Sequence, residues 1–208
     1  MLMEKSFLLD ESKKQEMYRS IYDDSMWLVN LTENLLSITR IENGTMPLRL
    51  GAELIEDIFH EALSHVDRRS EEHEIRVELA DDMLMASMDA RLIVQVIINI
   101  VNNAIKYTPE GSHICLSAEK ENDMVRIRIS DDGPGISDEA KRHLFDMFYT
   151  VNTNGISTDS RRGLGLGLSL CRSIVEAHGG SITVEDNQPA GAVFSFTLPL
   201  EEVRIPDV

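Results

Sequence analysis

Hydrophobic positions recur along the chain with two periods, and the switch between them divides it. Met17, Ile21, Asp24, Leu28, Leu31, Leu35 and Ile38 alternate steps of four and three, the seam of a helix that packs on other helices. Asp24 interrupts that seam. Asp10, Glu11 and Ser12 read as a turn and N-cap, which makes residues 1–9 the stub of an earlier helix. Gly44 and Pro47 end the long helix and begin a linker. A lone amphipathic helix needs a partner for its apolar stripe, so the expectation is a truncated helical hairpin that dimerises.

From about residue 52 the periods mix. Residues 52–68 read as an amphipathic helix, and 73–79 alternate as a strand with Ile75, Val77 and Leu79 on one face. A long helix over 89–107 follows. Residues 114–118 and 125–129 alternate again about a Glu121-Asn122-Asp123 turn. A helix over 166–177 ends at Gly179-Gly180, and 181–185 and 193–198 form the closing strands. Strands paired by hairpins, with helices laid on one face, make an α+β fold, a two-layer sandwich of helices on a mixed, antiparallel-rich sheet. The expected division is a helical-hairpin remnant at 1–44, a linker at 45–52, the α+β domain at 53–202 and a tail at 203–208.

Composition narrows the partners. Twenty Lys and Arg against thirty-six Asp and Glu give a net charge of −16. Nucleic acid and anionic membrane surfaces would be repelled on approach, although a small anionic ligand remains compatible with a preorganised pocket. Cys115 and Cys171 both sit in apolar runs, as free thiols of a reducing compartment do. No apolar run is long enough to cross a bilayer, and the start lacks a signal-peptide pattern. The expectation is a soluble piece, with any membrane anchor in segments outside it.

Three stretches carry candidate chemistry. Within the helix over 89–107, Gln95, Asn99, Asn102, Asn103 and Lys106 form one polar stripe on an otherwise apolar element. A plain wet face would account for it, yet such faces are usually Lys and Glu. Amides suit a partner that is itself highly charged. An Asn carbonyl oxygen is a hard ligand suited to Mg²⁺, which prefers few protein ligands plus phosphates and water. The second stretch is DDGPG, residues 131–135, at the end of a strand: an ordinary turn, or a carboxylate beside glycines that admit close backbone approach. The third is RRGLGLGL, residues 161–168, whose alternate glycines free backbone N–H groups at a helix start, an anion cradle. It matches neither the dinucleotide fingerprint nor a P-loop. Between the last two lies LFDMFY, residues 144–149, then a polar run over 150–160 that reads as a lid or loop, with Phe145 and Phe148 anchoring its near end.

Taken together and in this order, the stretches resemble the catalytic, ATP-binding half of bacterial sensor histidine kinases, in the superfamily that includes gyrase, Hsp90 and MutL. NIVNNAIKYTP looks like the N box, DDGPG the G1 box, FDMF the F box and GLGLGL the G2 box, while GAVFSFTLP is similar to the closing strand. MWLVNLTENLLSITRIENG resembles the second helix of the kinase dimerisation hairpin. SLCRSIVEAHGG and GAVF look closest to the potassium-responsive sensors of the KdpD type.

The resemblance implies a Bergerat-type fold and a set of roles. Asn103 would ligate Mg²⁺, Asn99 would face the phosphates, and Lys106 and Tyr107 would lie beside the nucleotide. Asp131 would accept the adenine amine, with Gly133 and Gly135 under the ring. Gly163, Gly165 and Gly167, with Leu168 beside them, would hold the phosphates, and Arg161 or Arg162 would reach the terminal one. It also implies a cytoplasmic kinase fragment of a membrane-anchored parent, homodimeric through the hairpin, relaying phosphate to a response regulator.

Two departures shape the expectation. The ATP hydrolases of the superfamily use a Glu one turn before the metal-binding Asn to activate water; here that residue is Asn99, which cannot take a proton. None of the six histidines begins a phosphoacceptor signature, so the fragment should not label itself. His178, at a helix end, reads as a cap. The rival readings are a hydrolase of the gyrase or Hsp90 type and a degenerate module that only docks partners.

Overall fold

The computed structural model describes residues 10–150 and 165–201. The chain opens with helix α1, Glu11–Glu42. Its seam is divided. Ile38 is fully buried and Leu31 and Ile41 pack on the core, whereas Ile21, Leu28 and Leu35 stay exposed. The end of the helix therefore belongs to the domain that follows, and α1 packs against α5, Gly167–Ala177.

Where a helix over 52–68 is expected, the backbone first makes an edge strand. β1, Gly51–Leu54, pairs antiparallel with β3, Met85–Met88, and only then does α2, Ile55–Ser64, begin. The Ile55 N–H donates to the Leu84 carbonyl at 3.0 Å, which fixes the switch from strand to helix. Pairing with residues more than thirty positions on is invisible to local periodicity. The stretch 45–52 is likewise no free linker: Met46 and Leu48 pack on the core, and the Arg49 N–H donates to Asp89 Oδ2 at 3.1 Å.

The remaining strands are β2 (Glu74–Leu79), β4 (His113–Glu121), β5 (Met124–Asp131), β6 (Ile182–Asp186) and β7 (Ala192–Glu201). They form one sheet in the order β1-β3-β7-β5-β4-β2, with β6 beside β7. β7 spans two neighbours on one edge, β6 along 192–196 and β3 at Leu200 and Glu201. All pairings are antiparallel except β2 with β4. The β4–β5 hairpin turns at Asn122, whose φ of 56° is one an Asn tolerates.

Alternation sends Ile114, Leu116, Val125, Ile127, Ile129, Phe194 and Phe196 to the covered face. There they meet α3, Ala90–Tyr107, through Ile93, Ile97 and Ile100, and α5 through Leu170, Ile174 and Val175. Truncating one of these fully buried side chains to Ala would cost about 2–5 kcal/mol. A short helix α4, Asp138–His143, is capped by Ser137, whose hydroxyl accepts from the Ala140 N–H.

Candidate functional site

The acidic pair at the end of β5 splits. Asp131 is buried, and its Oδ1 accepts from the Gly133 N–H at 3.0 Å and the Ala192 N–H at 3.3 Å. Among the described residues no donor reaches Oδ2. Burial pushes the carboxyl above its ordinary pKa, the two backbone N–H groups pull it back, and the neighbouring Asp132 charge adds to the rise. Asp132 points its chemistry elsewhere. Its Oδ1 accepts from the His113 N–H at 2.9 Å and its Oδ2 lies 2.8 Å from His113 Nδ1, contacts that hold it below the usual carboxylate range.

The glycines after the pair answer first to the protein's own packing. A Cβ on Gly133 would lie 2.5 Å from the Thr108 methyl, and Gly135, with φ of 76°, would place one 3.2 Å from the Gly191 carbonyl. Thr108 is the residue immediately after α3. The carboxylate loop is thereby pressed onto the end of the amide-bearing helix.

That helix is capped by Asp89, whose Oδ1 accepts from the Leu92 N–H, and its N-terminus is tied to α5. His178 is buried, with Nδ1 2.7 Å from the Ile174 carbonyl and Nε2 accepting from the Asp89 N–H at 3.0 Å. Bonded at both ring nitrogens, the side chain is a strut between two helix ends, in keeping with a capping role.

Along the stripe the amides diverge. Asn102 serves the fold, its Oδ1 accepting from the Asp67 N–H at 2.9 Å. Asn99 does not: among the described residues its Nδ2 is buried without a hydrogen-bond partner, although the amide sits close enough to the Cys171 thiol to pull its pKa down against burial. A buried donor left unmade costs about 1–3 kcal/mol, a cost that an incoming acceptor would remove. The carboxamide lies 3.8–4.0 Å from where a Cβ of Gly167 would stand, so the absent side chain opens the first turn of α5 to it. Leu166, the N-cap, offers no side-chain cap, so among the described residues no side chain caps the first backbone N–H groups of that turn. Cys171, one turn further in, is buried and its thiol is pushed up to about 12, which makes it an inert packing group.

Asn103 is half-buried and takes no side-chain hydrogen bond among the described residues. Lys106 and Tyr107 are exposed, with Nζ 5.0 Å from the ring centroid. No group of three or more His, Cys, Asp or Glu among the described residues could hold a metal ion. The donor set on offer is a single hard amide oxygen, which fits Mg²⁺ carried in by phosphates rather than one caged by carboxylates.

Gly165 has φ of 66°, and a Cβ there would lie 2.4 Å from the Tyr149 carbonyl. Its own carbonyl accepts from the Phe148 N–H at 3.0 Å, and Phe148 itself has a φ of 64°. Leu168 is half-buried against the core, so its contribution is packing. Arg161, Arg162 and Gly163 lie outside the described residues, as do most of the polar run over 150–160, the stub at 1–9 and the tail at 203–208. Sequence reasoning missed Thr108, Asn187 and Ala192, which set the surroundings of Asp131; Asn187 alone had a visible signal, a side chain capable of turn hydrogen bonds.

A family model described as histidine kinase-, DNA gyrase B-, and HSP90-like ATPase matches residues 88–202. The sensor protein KdpD of Clostridium acetobutylicum is 44% identical over 201 residues, covering 96% of this chain and 22% of that protein. The chain thus spans about a fifth of that curated relative's length. Full-length ShkA, solved in complex with AMPPNP, is similar with a TM-score of 0.75 at 25% identity, over 90% of this chain and 39% of that one. The histidine kinase ThkA, solved in complex with the response regulator protein TrrA, gives a TM-score of 0.71 at 25% identity, over 96% and 55%.

Proposed function

This chain belongs to the family of histidine kinase-, DNA gyrase B- and HSP90-like ATPases, and from that premise we propose that it is the catalytic, ATP-binding part of a two-component sensor histidine kinase. The observation that carries the reading is the state of Asp131, a buried carboxylate with one oxygen fixed by two backbone N–H groups and the other, among the described residues, without a donor. Such a group is preorganised to accept from an exocyclic amine.

Asp131 holds adenine. Asn99 and the opening turn of α5 receive the phosphates, with Lys106 neutralising charge and Tyr107 lining the entrance. Asn103 would hold Mg²⁺, which when bound would screen the charge on the phosphates. Arg161, Arg162, Gly163, Gly165 and Gly167 complete the phosphate side. Asn99 orients but cannot deprotonate water, so the bound nucleotide is shielded from hydrolysis and its γ-phosphate is available to a histidine. That acceptor lies on a dimerisation helix outside this sequence.

α1 is the second helix of that hairpin, and the domain proper, expected over 53–202, begins instead with its edge strand β1 at Gly51. The parent protein is a membrane-anchored homodimer that relays phosphate to a response regulator. Among the described residues no helix is long and apolar enough to cross a membrane. The ShkA–AMPPNP and ThkA–TrrA structures support the nucleotide and the regulator as partners.

Calorimetric titration with a nonhydrolysable ATP analogue and Mg²⁺ tests the reading. Wild type should bind, and Asp131→Asn should weaken binding about ten- to hundredfold, the worth of one charge-assisted hydrogen bond. No heat from wild type would leave only a docking module. Rapid phosphate release abolished by Asn103→Ala would instead make the protein a hydrolase.

A further inference from the structure

We infer that Asn187, in the turn between β6 and β7, is a positioning residue that sets the selectivity of the site for adenine. This rests on the reading of Asp131 as the adenine anchor. The β5–β7 ladder ends at the pair Ser130 and Val193. One residue on, the partners are exchanged: the Ala192 N–H goes to the Asp131 side chain at 3.3 Å, and Asn187 Nδ2 donates to the Asp131 main-chain carbonyl at 2.7 Å. Asn187 thus takes the carbonyl while the strand's own N–H is spent on the carboxylate.

The side chain is itself fixed. Asn187 Oδ1 accepts from the Gln188 N–H at 2.9 Å, and the Asn187 N–H donates to the Gly191 carbonyl at 3.0 Å. Gly191 lets the turn close against the strand end, since a Cβ there would lie 1.9 Å from the Asp131 carbonyl oxygen. A peptide plane clamped from its carbonyl side fixes the Cα–Cβ direction of Asp131, and with it the aim of Oδ2. No other side chain among the described residues donates to that carbonyl.

Selectivity separates this role from a merely structural one. Binding of the β,γ-imido analogue of ATP is compared with that of the matching purine riboside triphosphate, which carries hydrogen in place of the exocyclic amine. Wild type should prefer the adenine nucleotide. Asn187→Ala and the near-isosteric Asn187→Asp, which has no N–H to donate, should each reduce that preference about five- to tenfold while leaving purine riboside binding unchanged. In an Asp131→Asn background, Asn187→Ala should add nothing further. An undiminished preference in both variants, or equal loss for both nucleotides, overturns the inference. A wild type without preference, or one whose preference survives Asp131→Asn, overturns the Asp131 reading itself and the inference with it.

Discussion

Asp131 and Asp132 are adjacent in the chain and opposite in character. Spacing alone could not separate them; burial and partners do, since one carboxylate is held by backbone N–H groups and the other by His113. The glycines beside them were legible as required, but the reason lay in Thr108 and Gly191, distant residues that no local pattern exposes. The raised pKa of Asp131 has two consequences of opposite sign. In the free protein its carboxyl favours the proton, so the stability it contributes is present at acid pH and lost as pH rises through its folded pKa. At neutral pH the ionised group is a cost to the empty fold, which the proposed adenine amine would offset. Asp131→Asn should therefore keep or raise the thermal midpoint of the unliganded protein while weakening nucleotide binding. As pH falls, wild type should lose its preference for adenine over the purine riboside at a higher pH than an ordinary Asp would dictate, because the proton occupies the acceptor. The ratio of the two affinities across pH cancels titration of the phosphates; a ratio that stays flat into the ordinary carboxylate range would contradict the assignment.

At the scale of elements, α3 and α5 were readable because each repeats its apolar residues at helical spacing over at least three turns. β1, β3 and α4 were not, since four- to six-residue elements are defined by what they pair with or by a cap. The asparagine stripe was legible as a stripe, but the difference between Asn102, bonded to the fold, and Asn99, left unpartnered among the described residues, depends on Asp67 and Gly167. Besides their shared apolar packing, α3 and α5 are tied by the Asp89–His178 join, buried and remote from the stripe. Asp89→Ala removes the acceptor for the Leu92 and Arg49 N–H groups while leaving its own backbone bond to His178. It should cost about 1–3 kcal/mol in chemical denaturation. Nucleotide affinity measured well below the midpoint should change little, because the cap lies at the opposite end of α3 from Tyr107. A loss of stability below measurement error would mean that the cap and the Arg49 bond carry no weight.

For the whole molecule, α1 poses the unsolved burial problem. Its last turns are absorbed by α5, yet Ile21, Tyr22, Leu28, Val29 and Leu36 are each about half exposed or more, on one flank of a 32-residue helix. An apolar stripe of that length on a strongly acidic chain fits association with a second copy, and the two copies must approach against their shared negative charge. Self-association through α1 should therefore tighten as salt is added, the reverse of a contact built on opposite charges. Sedimentation equilibrium at low and moderate ionic strength reads this directly. The double substitution Ile21→Glu and Leu28→Glu should give a monomer at both, while leaving ATP binding intact because neither residue lies on α3, α5 or the Asp131 loop. A wild-type chain that stays monomeric as salt is added would show that this flank does not by itself pair with a second copy.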